Sequence, residues 1–283
     1  MLNTKRNKKI IAVLGPAGTF SDNASTMFLR NQKEDYEKVF FPTIDDTFNS
    51  ILDKSSCCIV PIENTLDGYV QRTLDLLFEM NIRIIDEIKV PVKFSLIANA
   101  NSISEIDELY VQFKAHGQCR KFINSLNNPK IITTESNMES YYKVQDGSIN
   151  SAAIIPSHIY EQSTQSLKIK DVTDSSDNYT RFIIIDKNVN KEPCLKADKK
   201  LRLPLYVIPC ENKPGTLHEI LGIFLNHNIN LISILSRPTK ERMGTYNFFI
   251  EIEGNYAELT NIYDMISELK EKHKIKTLGI YSV

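Results

Sequence analysis

Three short segments gather hydroxyl, amide and guanidinium groups at places where a backbone can approach a ligand. The first, GPAGTFS at 15–21, has two glycines that permit a tight turn, with Thr19 and Ser21 near the start of a helix. Hydroxyls beside the free N–H groups of a helix start can seat a carboxylate or another anion. Ser21 could equally be a helix cap with no ligand. The segment lacks the G-K-[ST] ending of a phosphate-binding P-loop. The second, PIENTLDG at 61–68, sets Glu63, Asn64 and Thr65 in succession before Gly68. Turn chemistry with Thr65 or Asp67 as a cap accounts for it equally well. The third, DNYTRF at 177–182, offers Thr180, whose hydroxyl can hand over a proton. Beside it, Arg181 matches a carboxylate with a two-pronged donor. A structural Asn/Asp turn with an ion-paired arginine is the alternative.

Strands and helices must carry these loops. Residues 10–14 read as a strand, and a helix follows from about residue 23. Residues 57–60 read as a strand, and 70–78 as a helix. Strands follow at 84–92 and 94–98, then a helical stretch near 116–126. A strand at 130–133, a helix at 138–144, and strands at 152–155 and 182–185 complete the region. The alternation predicts an α/β region, a parallel or mixed sheet with helices on both faces. Such sheets bind ligands at the carboxyl ends of their strands.

The region ends at a charged stretch without apolar period, DKNVNKEPCLKADKK at 186–200, which reads as a linker. Beyond it, 201–209 looks like a strand and ENKPG at 211–215 like a turn. Leu217, Ile220, Leu221, Phe224 and Leu225 form one helix face. Residues 229–237 (INLISILSR) read as a buried strand. Tyr246, Phe248, Ile250 and Ile252 alternate as a half-buried one. Leu259, Ile262, Tyr263, Ile266 and Leu269 make a second helix face, and 274–283 can be a last strand. The order β-α-β-β-α-β is the α+β ferredoxin-like plan.

With 283 residues the chain has room for two domains, and 42% apolar residues supply a core. The 34 basic and 35 acidic residues balance, giving no general pull toward nucleic acid or an anionic membrane. No apolar run approaches the roughly 18–20 residues of a membrane span. The basic start and the short run at 10–14 do not make a secretory signal. Cys57, Cys58, Cys119, Cys194 and Cys210 are odd in number and form no C-x-x-C, so reduced thiols and a cytoplasmic location are expected. The histidines lack metal-ligand spacing, so no metal is expected.

In order and spacing, the three loops resemble those of the prephenate dehydratase family, which read GPxGTFS, PIENS-like and NxTRF. NKPGTL at 212–217 and SRP at 236–238 resemble two signature segments of that family's C-terminal ACT domain, which binds phenylalanine. The resemblance runs from about residue 10 to residue 282. It implies conversion of prephenate to phenylpyruvate with loss of water and carbon dioxide, in phenylalanine biosynthesis, with no cofactor. It implies a two-lobed catalytic region at 9–186, similar to type 2 periplasmic binding proteins. One lobe is about 9–99 with 169–186, and the other about 100–168. A linker at 187–200 and an ACT domain at 201–283 follow. Thr180 takes the place of the family's catalytic threonine. Thr19, Ser21, Asn64, Thr65, Arg181 and Phe182 fall at substrate-binding positions; Arg181 could instead brace its loop. Asn212, Pro214, Gly215, Thr216, Leu217, Ser236, Arg237 and Pro238 fall at effector positions for L-phenylalanine at a dimer interface. A homodimer or homotetramer is expected.

The sequence departs from the family pattern mainly in the second lobe. VQFKAHG at 111–117 lacks the Ser, His and Pro expected before Gln118 and Cys119. Phe94 or Lys93 replaces a family histidine, and Asn137 replaces a threonine. Thr65 stands for the usual serine and keeps the hydroxyl. In the tail, Leu235 replaces a glutamate, and His218 ends a run that is usually apolar. These changes leave two alternatives: a non-catalytic aromatic-acid or amino-acid sensor of the same fold, and a dehydratase acting on arogenate.

Overall fold

The computed structural model describes residues 8–147, 149–190, 192–211, 213–239 and 243–283. Asn212 lies outside them. The chain divides into two compact units. One takes in the chain through Thr47, with Ile59–Tyr69 and Ile88–Phe182; the other takes in Phe48–Cys58, Val70–Glu87 and Ile183–Val283. A first sheet has the strand order Tyr36–Phe41, Lys9–Leu14, Cys57–Asn64, Tyr179–Asp186, Arg83–Pro91, with Gly68–Tyr69 paired to Cys57–Asn64. Lys9–Leu14 and Tyr36–Phe41 run parallel. The helix Phe20–Leu29 links them, as a crossover between parallel strands requires.

Within the first unit a second sheet has the order Leu167–Ile169, Phe94–Ala98, Ser151–Pro156, Glu108–Gln112, Lys130–Thr134. It is mixed. Glu108–Gln112 is parallel to both neighbours, and Phe94–Ala98 is antiparallel to both of its own. Ser151–Pro156 (SAAIIP) is buried along its whole length, as expected of an apolar strand covered on both faces. Leu96, Leu109, Val111, Ala152 and Ile154 form the core, with Phe20 against it.

Within the second unit four antiparallel strands lie in the order Asn230–Pro238, Tyr246–Asn255, Lys200–Ile208, Lys274–Thr277. The helices Thr216–Asn226 and Leu259–Lys272 cover one face, burying Ile220, Phe224, Ile262 and Leu269 on Leu203, Leu205 and Ile250. This is the expected β-α-β-β-α-β plan. The other face carries the helix Gln71–Glu79. Tyr206 donates its hydroxyl to the Leu74 carbonyl at 2.6 Å, and Lys276 Nζ donates to the carbonyls of Phe78 and Met80, each at 2.6 Å. Arg202, 6% exposed, grips both carboxylate oxygens of Glu87 at 2.8 and 2.7 Å.

Several local expectations are corrected. The 229–237 stretch is not buried: Asn230–Pro238 is the end strand of its sheet, and Ile232 and Ile234 are about 40% exposed. An end strand has one neighbour and one open side. Tyr246–Asn255 is buried on both faces instead of one. Phe249 lies on Tyr206, and Tyr206 on Phe78, so the polar face that holds Asn247 and Glu251 is also enclosed. The helical stretch expected near 116–126 is two short helices, Phe113–Gln118 and Arg120–Asn124. The last strand is broken after Thr277, where Gly279 takes φ +102° against the Ile84 backbone. The strand Tyr36–Phe41 and the helix Ile44–Asp53 add to the elements expected from the sequence. Among the described residues no helix is long and apolar enough to cross a membrane.

Candidate active site

The first loop joins the strand Lys9–Leu14 to the helix Phe20–Leu29. Thr19, not Ser21, is the cap: its Oγ1 accepts from Asp22 N and donates to the Pro16 carbonyl at 2.9 Å. The helix therefore starts at Phe20, earlier than its apolar period suggests. Asp22 closes the turn from the other side, accepting from Gly18 N at 2.8 Å while pairing with Lys38 at 2.7 Å. An acidic group in the first turn complements the positive helix end. Ser21 sits just inside the helix and is 6% exposed. Gly18 has φ +84°, and a Cβ there would lie 2.5 Å from the Met138 sulfur. Its carbonyl meets His158 Nε2 at 2.8 Å. Burial pushes the His158 imidazole below its ordinary pKa, opposed by the Gly18 carbonyl. A neutral imidazole donating to that carbonyl is the form this setting favours.

The second and third loops form one hydrogen-bonded cluster. Asn64 Oδ1 accepts from the backbone N–H groups of Leu66 and Asp67 at 3.0 and 3.1 Å. That fixes the amide so that Nδ2 faces the third loop. There it reaches Thr180 Oγ1 at 3.0 Å, Asn178 Oδ1 at 2.9 Å and the Tyr179 carbonyl at 3.1 Å. Thr65 is not a cap either. It bonds the Tyr179 backbone through both N–H and hydroxyl, while the helix Gln71–Glu79 is preceded by Val70 with no side-chain cap. Asp67 pairs with Lys114 at 2.7 Å. The Thr180 oxygen accepts a hydrogen bond, so its own proton stays available to a ligand.

Arg181 lies beneath this cluster, 5% exposed. It pairs with Glu63 at 3.1 Å and reaches the Tyr69 hydroxyl at 3.3 Å. Glu63 and Tyr69 face each other across the small antiparallel pair. The guanidinium therefore braces the two loops. Phe182 is 2% exposed and belongs to the core.

Some of the pairings that matter here leave no trace in the sequence. Asn178, 1% exposed, donates to Gln118 Oε1 at 3.0 Å, which ties the third loop to the 113–118 helix. Gln118 and Asn178 are far apart in the chain, and no spacing rule joins them. His158 stood in a plain polar stretch. The departures from the family pattern have clear local roles. Phe94 puts its ring edge-on to Phe20 at 5.6 Å, and Phe20 meets His158 at 5.4 Å. Gln112 caps the following helix by accepting from Lys114 N and Ala115 N. Asn137 begins the helix Asn137–Gln145, and its buried Oδ1 has no partner.

The expected effector residues separate into two groups. Gly215, Thr216 and Leu217 line one cavity of about 430 Å³ with Lys213, Tyr246 and Phe248. Gly215 takes φ +92° as the residue before the helix, and Thr216 Oγ1 bonds back to the Lys213 carbonyl at 2.9 Å. Pro214 is exposed in the same turn. Ser236, Arg237 and Pro238 lie on the end strand outside that cavity, and Arg237 is paired with Asp75 of the helix Gln71–Glu79.

Comparison with known proteins places this geometry. Residues 11–190 match the family model for prephenate dehydratase, and residues 207–255 match that for the ACT domain. A prephenate dehydratase of Methanocaldococcus jannaschii is 33% identical over 98% of this chain and 99% of its own length. One from Bacillus subtilis is 30% identical over 96% of this chain and 98% of its own. The crystal structure of a prephenate dehydratase from Arthrobacter aurescens in complex with L-Phe superposes with a TM-score of 0.82 at 27% identity. That match covers 97% of this chain and 90% of the other.

Proposed function

The chain belongs to the prephenate dehydratase family, and from that premise we infer how its three loops divide the work. It is a hydro-lyase that converts prephenate to phenylpyruvate, with loss of water and carbon dioxide, in phenylalanine biosynthesis. Prephenate is a dianion with a ring hydroxyl. Loss of one carboxylate as carbon dioxide makes the ring aromatic once the hydroxyl leaves as water. Aromatisation drives the step, so no electron-sink cofactor is needed. The enzyme must seat the carboxylates and protonate the departing hydroxyl.

Thr180 gives that proton. The supporting observation is the Asn64 amide, held so that its N–H faces the Thr180 oxygen at 3.0 Å. As the hydroxyl releases its proton, the oxygen gains charge in front of a fixed donor. Threonine is a weak acid in water, so this support and desolvation must supply much of the effect. The first loop seats a substrate carboxylate at the helix start through Ser21, with Thr19 holding the turn by its bonds to Pro16 and Asp22. Asn64, Thr65 and Arg181 act mainly by holding Thr180 in place, and Phe182 anchors the strand behind it.

Replacing Thr180 by Ala is expected to lower kcat for prephenate by at least ~100-fold. Thr180→Ser should keep most of the activity, with both variants melting like the parent. An Ala variant as fast as the parent would remove Thr180 from the chemistry. Running prephenate and arogenate side by side assigns the preferred substrate.

The domain reading follows the same premise: catalytic residues at 9–186, a linker at 187–200 and an ACT domain at 201–283. L-Phenylalanine is the effector, held by the turn at Gly215–Leu217 and by Ser236, Arg237 and Pro238 once two copies meet. The open edge of Asn230–Pro238, with Ile232 and Ile234 exposed, supports a homodimer or homotetramer; the cysteines without a C-x-x-C pattern support a cytoplasmic location.

A further inference from the structure

We propose that a cavity beside Arg83 is a second ligand site, which takes a small carboxylate with an apolar body and no ammonium group. The cavity holds about 500 Å³ inside the second unit, a size suited to a small organic molecule. Ile82, Ile262, Ile266 and Ile280 give it an apolar wall. Arg83, Lys270 and Lys276 also line it, and among the described residues no acidic side chain does.

Arg83 is the central observation. It is 7% exposed, and its buried Nε has no hydrogen-bond partner. A guanidinium stays charged at any ordinary pH, and buried charges are normally paired. Among the described residues the other deeply buried arginines obey that rule: Arg181 pairs with Glu63, and Arg202 with Glu87 and Glu253. Among the described residues Arg83 has no such acid, and it faces a cavity. Lys276 gives its Nζ protons to the Phe78 and Met80 carbonyls and leaves its charge in the wall. Lys270 lies at the exposed rim. A carboxylate would complete the arginine pair, and the isoleucines would cover an aryl or alkyl body. An amino acid is disfavoured because nothing acidic in the lining receives its ammonium group. The site is therefore distinct from the effector turn at Gly215–Leu217. Val189 and Pro193 of the linker also line it, so an occupant would touch linker and last helix together.

The test titrates 3-phenylpropanoate, 3-phenylpropylamine and inorganic phosphate into the full chain with isoleucine δ-methyls labelled for NMR. The expected result is saturable movement of the Ile82, Ile262, Ile266 and Ile280 signals with 3-phenylpropanoate alone. Arg83→Gln should abolish it. Lys270→Glu, at an exposed position that folding tolerates, should weaken it about fivefold. Absent shifts, equal shifts with the amine, or unchanged affinity in Lys270→Glu would each overturn the proposal. Equal response to phosphate would replace the carboxylate with a general anion and overturn the ligand class.

Discussion

At the scale of single residues, the site depends on groups that position others. Asn64 cannot turn its amide without losing two backbone bonds, so the orientation of Thr180's partner is built in. His158 does related work for the first loop by donating to the Gly18 carbonyl. Burial lowers its pKa, so the fold favours the neutral ring. The sign follows: its contribution is full above the ordinary histidine value of about 6.5 and is lost as pH falls through the lowered one. The melting temperature should therefore drop on the acid side of neutrality through this residue. In His158→Gln, which keeps a donor but cannot titrate, that acid limb should be shallower. Superimposable melting profiles from pH 4 to 8 would assign the drop elsewhere.

At the scale of elements, the first loop depends on Gly18. Its φ of +84° lies in the left-handed region, and a Cβ would press on the Met138 sulfur. The sulfur can swing aside, but the backbone angle cannot relax as easily. Gly18→Ala should cost about 1–2 kcal/mol in urea unfolding and raise the KM for prephenate. A variant of parental stability and KM would mean the turn adapts. The apolar periods in the helices 216–226 and 259–272 and the motif order were legible because local patterns set them. The caps were less so. Thr19 and Ser21 both suit a helix start, and only the bond to Asp22 N distinguishes them. The strand Tyr36–Phe41 (YEKVFF) has no clear alternation to mark it in the sequence. The openness of Asn230–Pro238 was hidden because a run rich in Ile and Leu reads alike at the centre and at the end of a sheet. The Asn64–Thr180 and Asn178–Gln118 pairs are long-range and leave no trace in spacing.

At the scale of the whole molecule, sequence character and packing divide the chain differently. The composition changes at 186–200, and one family match ends within that stretch at 190 while the other begins beyond it at 207. The compact unit that holds the C-terminal sheet nonetheless includes Val70–Glu87. Tyr206, Lys276, Arg237, Arg202 and Tyr281 all bond to that stretch. Residues 1–190 expressed alone should uncover the apolar side of the helix Gln71–Glu79 and lose the acid-paired contacts of Glu87. The expected readout is aggregation, or a non-cooperative melt well below that of the full chain. A soluble fragment with a parental melting temperature would contradict this.

The same stretch sets a condition on grafting. The C-terminal sheet is not a cassette that can be exchanged at the linker. Tyr206, Arg237 and Lys276 present a surface moulded to 70–87, and a sheet borrowed from a relative would meet a foreign helix there. A working chimera would have to carry both segments from one parent, although more than a hundred intervening residues could stay native to the host.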